Sequence, residues 1–373
     1  MNRPNFDLSC RLMNAGVQVI PQALPTDLFQ WPQAPDFAPP RESTVCAQRD
    51  LPTRYPVNPR RMARNFGPVY QQYYNDRGDY SFGLSRLREL KGYQIEEKYR
   101  NRDGLVTARA RDTFNDRQVV LKTFIGGGPD DELHRIRLLH EMFILSQFND
   151  PRIVRMIDYG LFEGNPTAVL EYHPRGNLTL WAKKRRPQET DDLSYQIEVV
   201  ELMIKMLKSL SRFHTGGFYH GDVNPWNFVI NQNGIPVLID FGMSILQGQT
   251  NPFVESGFIS GKPRYMSSQL LNGNTRTLDD EFYALGCILY YLLTSHDPYD
   301  DCNEYDLWTL ESVKRQGSLE LDKREPHSHP TLRAIIQKAT HYILRLRYQT
   351  HKEMHDDLNA CLRTLKREKK NAA

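Results

Sequence analysis

Two short segments near the middle of the chain constrain it most. The first, at residues 218–230, reads FYHGDVNPWNFVI and places Asp222 and Asn227 on one loop. The second reads VLIDFGMS and places Asp240 directly after an apolar run, so its carboxylate is expected at the end of a strand. Oxygens from Asn227 and Asp240 suit Mg²⁺, which takes few protein ligands together with phosphate oxygens. Asp222 is then left to accept a hydroxyl proton, and this division of roles is the one that phosphoryl transfer requires.

Composition excludes several classes of protein. The chain has 373 residues with 48 basic and 45 acidic side chains, and this small net charge gives no reason to expect a nucleic-acid partner. A hydrophobic content of 39% supports a packed core. The five scattered cysteines contain no C-x-x-C pair, which excludes a disulfide scaffold and predicts a reducing cytoplasm, the cell's own or that of a host. No apolar run approaches the ~18 residues of a membrane span, and no secretory signal is expected.

The chain divides into four unequal segments. Residues 1–60 contain 10 of the 23 prolines, which predicts an extended or disordered leader. Residues 61–89 form an aromatic-rich spacer, residues 90–365 the folded domain and residues 366–373 a basic tail. Because apolar side chains between residues 20 and 40 have no core of their own, we expect the leader to dock on the folded domain or on a partner.

The pattern of apolar residues predicts strands first and helices afterwards. A short helix is predicted at 84–91. It is followed by three strand-like runs, at 93–99, 105–111 and 117–124, which are expected to form an antiparallel meander. A helix is then predicted at 131–148, with further strands at 153–159 and 167–172. Helical patterns prevail beyond residue 190, at 191–214, 281–294 and 329–364.

The loop and the Asp-Phe-Gly motif together resemble the H-R-D-L-x-x-x-N and D-F-G signatures of the eukaryotic-type protein kinase family. The resemblance runs from about residue 93 to 364. It implies a bilobal α+β fold, with a small β-rich N-lobe and a larger helical C-lobe, here preceded by the Pro-rich leader. The implied cofactors are ATP and Mg²⁺, with Asp222 as base and Asn227 and Asp240 on the metal. By the same resemblance, VVLK at 119–122 supplies Lys122 for the ATP phosphates, and Glu141 is its partner.

The family also implies where the nucleotide binds. Leu170 is expected to close the back of the nucleotide pocket, and the backbones of Glu171 and His173 to pair with adenine. Asn177 is expected near the ribose. The phosphate loop resembles the family least, because only Gly104 and Val106 of the pattern G-x-G-x-x-G-x-V are present, in YRNRDGLV. The missing glycines predict a looser backbone cradle for the phosphates.

GKPRYMSSQLL at 261–271 resembles the G-T-P-x-Y-M-x-P-E block, which shapes a peptide-binding surface in the family. It implies protein substrates, with Ser/Thr hydroxyls as the expected acceptors. Arg347 is expected to reach Gln269, which replaces the family's Glu and so loses the charge assistance of that hydrogen bond. The run HGD-x-x-P-x-N also resembles aminoglycoside and choline phosphotransferases, so a small-molecule acceptor stays open. A weakly active kinase-like scaffold is the other alternative.

Three departures from the family affect its charges. Gly221 replaces the loop arginine that clamps an activation-segment phosphate, so we expect activity not to depend on phosphorylation there. Asn224 stands where the family has the lysine of the catalytic loop, and Lys262 stands where the family has the threonine of the G-T-P block. The positive charge has therefore moved from the loop to the block. We hypothesise that Lys262 is catalytic and reaches both the transferring phosphate and Asp222. The alternative is a lysine that points to solvent.

Overall fold

The computed structural model describes residues 87–102, 104–126, 131–185, 192–247, 261–319, 321 and 328–372. Nine strands and eight helices are formed within these ranges. The predicted leader and nearly all of the aromatic spacer lie outside the described residues. No helix in the described ranges is long and apolar enough to cross a membrane.

A five-stranded antiparallel sheet forms the smaller lobe. Its strands pair in the order β1-β2-β3-β5-β4, with bounds β1 Tyr93–Arg102, β2 Leu105–Asp112, β3 Arg117–Phe124, β4 Met156–Phe162 and β5 Asn165–Glu171. The alternation of β2 directs Val106 and Ala108 to the interior. On β3, Val119 and Leu121 are fully buried, and Lys122 lies opposite Ala168 of β5. The sheet thereby fixes the position of Lys122.

One long helix, α1 (Asp131–Ser146), packs against strands of this sheet. Its buried face includes Leu138, Met142 and Ile144, whose side chains join the main hydrophobic core. Glu141 stands between these apolar positions and is 1% exposed. The helix therefore turns one carboxylate toward the interior of the protein.

Helices make up most of the larger lobe. In chain order they are α2 Leu178–Arg185, α3 Asp192–Thr215, α4 Ser268–Leu271, α5 Leu278–Thr294, α6 Leu307–Arg315, α7 Pro330–Ala339 and α8 His351–Ala372. A reciprocal capping box between Thr277 and Asp280 starts α5, whose residues are nearly all buried. Gly286 lets α5 approach α7, because a Cβ there would lie 2.6 Å from Ala339 Cβ.

Two short strand pairs hold the loops between α3 and α4. β6 (Phe218–Tyr219) pairs with β9 (Ile245–Leu246), and β7 (Phe228–Ile230) pairs with β8 (Pro236–Leu238). The segment that carries Asp222 and Asn227 leaves β6 and enters β7, while Asp240 follows β8. These pairings bring the two sequence motifs side by side.

The predicted bilobal α+β fold is confirmed, and three local predictions are corrected. The described part of the expected helix at 84–91 is extended, because Leu90 N donates to Leu161 O at 2.6 Å and the segment pairs with β4. The strand expected at 153–159 begins only at Met156. The helical pattern at 329–364 forms two helices, since Arg347 is extended and its side chain turns inward. The last helix extends to Ala372.

Candidate active site

The catalytic-loop segment is held by its own hydrogen bonds. Asn227 Nδ2 donates to Asp222 Oδ2 and to the Asp222 carbonyl oxygen, both at 2.9 Å. Asn224 donates to the same carbonyl oxygen at 2.9 Å. His220, which is fully buried, lies 3.0 Å through Nε2 from the Ile239 carbonyl oxygen just before Asp240. The imidazole therefore joins the loop to the strand that ends in the Asp-Phe-Gly motif.

Asp240 occupies an unusual backbone conformation at the end of β8. Its φ is +66°, in the left-handed region, which Asp tolerates better than most residues with a Cβ. Asp240 Oδ1 accepts a hydrogen bond from Lys122 Nζ at 2.9 Å. The carboxylate is 44% exposed, so it faces the space between the lobes while one oxygen contacts the lysine.

Lys122 connects both lobes through one ammonium group. Besides Asp240 it contacts Glu141 Oε2 at 2.5 Å, and both side chains of that pair are nearly fully buried. The structure thus brings the strand lysine to its predicted partner Glu141 and also to Asp240, a contact that was not predicted from the sequence. Burial alone would lower the pKa of Lys122, but the carboxylates of Asp240 and Glu141 outweigh it and raise that pKa. The lysine stays charged at neutral pH.

Asp222 lies in a different electrostatic environment. Burial raises its pKa, and the nearby charge of Asp240 acts in the same direction. The Lys262 backbone N–H donates to Asp222 Oδ1 at 3.1 Å, so each carboxylate oxygen accepts one fixed hydrogen bond. A carboxylate of raised basicity held in one orientation is suited to accept a proton.

The residues expected to contact the nucleotide lie on the strands and the hinge. Gly104 has φ +75°, and a Cβ there would lie 3.0 Å from the Gly126 backbone, so the tight turn requires glycine. Val106 and Leu170 are buried, at 4% and 6% exposure. Glu171 and His173 follow at the end of β5, where His173 Nε2 is buried without a hydrogen-bond partner. An orphaned ring nitrogen at the hinge indicates a place for an additional polar group.

Asn177 makes a contact that the sequence did not predict. Its Oδ1 accepts from Thr179 Oγ1 at 2.7 Å and from Leu180 N at 3.1 Å. Asn at this position caps the first turn of α2, which commits its carbonyl oxygen to the protein.

The residues present fit a bound Mg²⁺. Within the described ranges, no group of three or more His, Cys, Asp or Glu side chains is placed to hold a metal ion by itself. Asn227 and Asp240 offer one amide and one carboxylate from adjacent loops. That small oxygen donor set is typical of Mg²⁺, which completes its shell with phosphate oxygens and water.

The segment after Gly261 closes one side of the catalytic loop. Gly261 has φ +113°, and a Cβ there would meet Asp222 Oδ1 at 3.0 Å. The Lys262 ammonium lies 3.7 Å above the centre of the Trp226 ring. The Lys262 backbone N–H donates to Asp222 Oδ1 at 3.1 Å. The catalytic role of the Lys262 ammonium stays a prediction.

Arg347 reaches Gln269 as the sequence predicted. Its Nη2 donates to Gln269 Oε1 at 2.6 Å, and the guanidinium is 1% exposed. The charge that glutamine lacks is supplied by Asp279 Oδ2, 3.0 Å from Nη1, and by Asp280 Oδ1 at 3.6 Å. The hydrogen bond to Gln269 has a neutral acceptor, as expected, and the carboxylates from the first turn of α5 are additional partners of the same guanidinium.

Gly221 is fixed by its surroundings. It has φ +86°, and a Cβ would lie 2.0 Å from the Met243 carbonyl oxygen. Its N–H donates to Glu281 Oε1 at 2.8 Å, and Glu281 Oε2 lies 2.6 Å from His214 Nε2. Burial alone would raise the pKa of Glu281, but the hydrogen bond and charge of His214 lower it to about 2. An arginine would not fit here without moving the backbone.

Sequence analysis missed two of these positioning residues, Glu281 and His214. Glu281 falls in a run of three acidic residues at the start of α5, which is also what capping alone would produce. A usable signal was the apolar periodicity of α5, which turns Glu281 inward beside Phe282 and Leu285. A carboxylate on a buried face requires a partner.

Comparison with known proteins identifies the family of the chain. The family model described as "Protein kinase domain" matches residues 104–360, more than half of the chain. A probable serine/threonine-protein kinase PknB of Lactococcus lactis is 26% identical over 253 residues, covering 67% of this chain and 39% of that protein. Serine/threonine-protein kinase PknB of Mycolicibacterium smegmatis is 28% identical over 254 residues, again covering 67% and 39%. The chain thus spans about two fifths of these relatives' length, and it belongs to the protein kinase domain family.

Proposed function

We propose that the protein transfers the γ-phosphoryl group of ATP to Ser/Thr hydroxyls of protein substrates. The observation that carries the proposal is the convergence of Lys122, Glu141 and Asp240, within 2.9 Å, beside an Asp222 oriented by Asn227. Such transfer depends mainly on positioning and charge neutralisation, which this arrangement supplies. The similarity to proteins named as serine/threonine-protein kinases supports protein Ser/Thr acceptors.

Each side chain has a role in this proposal. Lys122 would bind the α- and β-phosphates, and Glu141 holds its ammonium in place. Asn227 and Asp240 would hold Mg²⁺, which neutralises phosphate charge when it is bound. Asp222 would accept the proton of the attacking hydroxyl, for which its raised pKa and its two fixed hydrogen bonds prepare it.

The adenine would bind at the hinge. Leu170 and Val106 offer buried apolar side chains. The backbones of Glu171 and His173 would pair with adenine, Glu171 through its carbonyl oxygen because its N–H donates to the Arg155 carbonyl oxygen at 3.0 Å. The unpartnered His173 Nε2 supports this part of the proposal. Gly104 with its left-handed φ would cover the phosphates, whereas Asn177 would reach a ribose only through its amide nitrogen.

A protein acceptor is favoured over a small molecule by the segment after Gly261. The Lys262 amide lies against Asp222, and Arg347 anchors Gln269 of the same block in the interior. This ordered edge beside the base provides a surface for an extended peptide. Lys262 would place its positive charge, stacked on Trp226, at the rim where the phosphoryl group is transferred.

The proposed site of action is the cytoplasm, where ATP is available, and the free thiols Cys287, Cys302 and Cys361 support it. A partner for residues 1–60 stays a prediction.

Incubation of the full chain with γ-labelled ATP and Mg²⁺ tests the proposal. Samples would contain either a cell extract treated to inactivate its kinases or a set of aminoglycosides and choline. We expect label on serine or threonine of proteins and none on the small molecules. Label on the small molecules alone would indicate the phosphotransferase alternative, and no label on either would indicate a scaffold.

A further inference from the structure

Lys314, on the last turn of α6, is a buried lysine that the proposed mechanism does not use. Its side chain is 2% exposed. The ammonium donates to the carbonyl oxygens of Pro263 at 2.8 Å and Arg264 at 3.1 Å, and also to that of Met266. An ammonium has three N–H donors, so every donor of Lys314 contacts this one turn.

No carboxylate within the described residues pairs with this ammonium. Burial is the main cause that lowers the pKa of Lys314 to about 7; the guanidinium groups of Arg347 and Arg264 act in the same direction, and the thiols of Cys287 and Cys302 oppose them. The rings of Tyr299 and Tyr283 lie 4.8 Å and 5.4 Å from Nζ. Carbonyl dipoles and aromatic rings therefore take the place of the counter-ion that a buried charge normally has.

The turn held by Lys314 is continuous with the contact to the proposed base. Tyr265 N donates to the Lys262 carbonyl oxygen at 2.9 Å, which closes the Pro263–Tyr265 turn. The Lys262 amide at the start of that turn donates to Asp222 Oδ1. A short run of hydrogen bonds thus leads from α6 through the substrate-facing edge to Asp222.

The nucleotide-binding groups lie on other elements. Lys122 is on β3, Glu141 is on α1 and Asp240 follows β8, and none of them contacts Lys314. Loss of the Lys314 ammonium would remove the donor from the carbonyl oxygens of Arg264 and Met266, while that of Pro263 would keep only the Met266 N–H at 3.2 Å. The turn would shift so that the freed oxygens find other donors. Such a shift would change peptide binding and the orientation of Asp222 without changing the ATP contacts.

We infer that Lys314 is a positioning residue for protein phosphorylation, which holds the Lys262–Met266 edge in the conformation that contacts Asp222 and receives the substrate. This inference rests on the proposed function, because it concerns how the same site accepts a protein. It assigns to α6 a part in catalysis that lies outside the sequence motifs.

The test is Lys314→Met, which keeps the length of the side chain and removes its charge and donors. We expect kcat/KM for a protein substrate to fall about 10- to 100-fold, while the Kd of Mg·ATP changes less than about twofold. Lys338→Met is the matched control. Its ammonium also lies over a tyrosine ring, 4.3 Å from the centre of Tyr348, but on α7 and away from the turn. That variant should keep kcat/KM within about twofold.

Hydrogen exchange gives a readout independent of activity. In Lys314→Met the amides of Lys262, Tyr265 and Met266 should exchange faster, and those of β3 should not. Lys314→Gln retains two N–H donors and should show a smaller increase in amide exchange at the same residues. If Lys314→Met does not fold, the exchange and kcat/KM of Lys314→Gln test the inference in its place.

The two hypotheses fail in different ways. If the wild-type chain labels no protein, the proposed function fails and so does the catalytic role of Lys314, while exchange still reports whether it holds the turn. If the wild type is active and a folded Lys314→Met variant retains full kcat/KM with unchanged exchange at 262–266, the inference about Lys314 is overturned alone.

Discussion

Replacement of Arg347 by methionine should destabilise the larger lobe strongly. The guanidinium is 1% exposed and bridges Gln269, Asp279 and Asp280, and its Nε also donates to the His341 carbonyl oxygen at 2.6 Å. Methionine would fill much of the space but leave two shielded carboxylates without their cation, since the side chains of Asp279 and Asp280 are only 14% and 2% exposed.

Breaking a buried ion pair from one side costs about 3–5 kcal/mol. For a domain of this size, each kcal/mol lowers Tm by roughly 2–4 °C, so Arg347→Met should lower Tm by roughly 10 °C in circular-dichroism melts. Adding Asp279→Asn should recover part of the loss, because one uncompensated charge is then removed. The control Arg185→Met removes a guanidinium that is 54% exposed and lies 3.2 Å from Glu198, and it should cost at most about 1 kcal/mol. A Tm for Arg347→Met within about 2 °C of the wild type would refute the reasoning.

Three further predictions follow from the site and its surroundings. Lys262→Met should lower turnover on the order of 10²-fold with little change in ATP affinity, because the charge over Trp226 would act mainly in the transition state; steady-state kinetics with unchanged kcat would contradict this. Gly221→Arg should destabilise the protein and not create phosphorylation-dependent activity, since a Cβ there meets the Met243 carbonyl oxygen at 2.0 Å; Gly164→Ala, where nothing lies within 4 Å, is the milder control in the same melts. Burial lowers the pKa of His140 from 6.5 to about 4, although the Ser244 carbonyl oxygen opposes the shift. The unfolded chain therefore takes up this proton at a higher pH than the folded protein, and stability should fall as pH drops from 6.5 toward 4, by roughly 2–3 kcal/mol. His140→Gln keeps a donor to Ser244 and should make the midpoint of urea unfolding depend less on pH over that range. If the midpoint of this variant changed with pH as steeply as that of the wild type, His140 would be excluded as the cause.

The sequence was sufficient to predict the fold and to identify the groups that meet in the site. Motif spacing indicated Asp222, Asn227 and Asp240, and the resemblance to the protein kinase family implied Lys122 and Glu141. Residues near a motif can be predicted because short loops and paired strands limit where the chain carries them. The short β7–β8 pair, for example, brings Asn227 next to Asp240 across only a few residues.

Contacts over a long distance in the chain could not be predicted in the same way. Lys314 holds a turn about fifty residues earlier in the chain, and nothing in its local sequence distinguishes it from a surface lysine. The contacts of Arg347 with Asp279 and Asp280 were not predicted, because acidic residues are common in the first turn of any helix. For Lys262, the sequence located the residue but not its side chain, whose direction is set by the ring of Trp226.

The central claim is that the cluster around Lys122 and Asp222 performs phosphoryl transfer with Asp222 as base. The most direct test is a rapid-quench measurement of the first turnover, made on the wild type and on Asp222→Asn. The reaction contains labelled ATP, Mg²⁺ and an unphosphorylated protein that the wild type has already been shown to phosphorylate. We expect Asp222→Asn to bind Mg·ATP with unchanged affinity and to transfer the phosphoryl group about 10²–10⁴-fold more slowly. Transfer by Asp222→Asn at the wild-type rate would contradict the account.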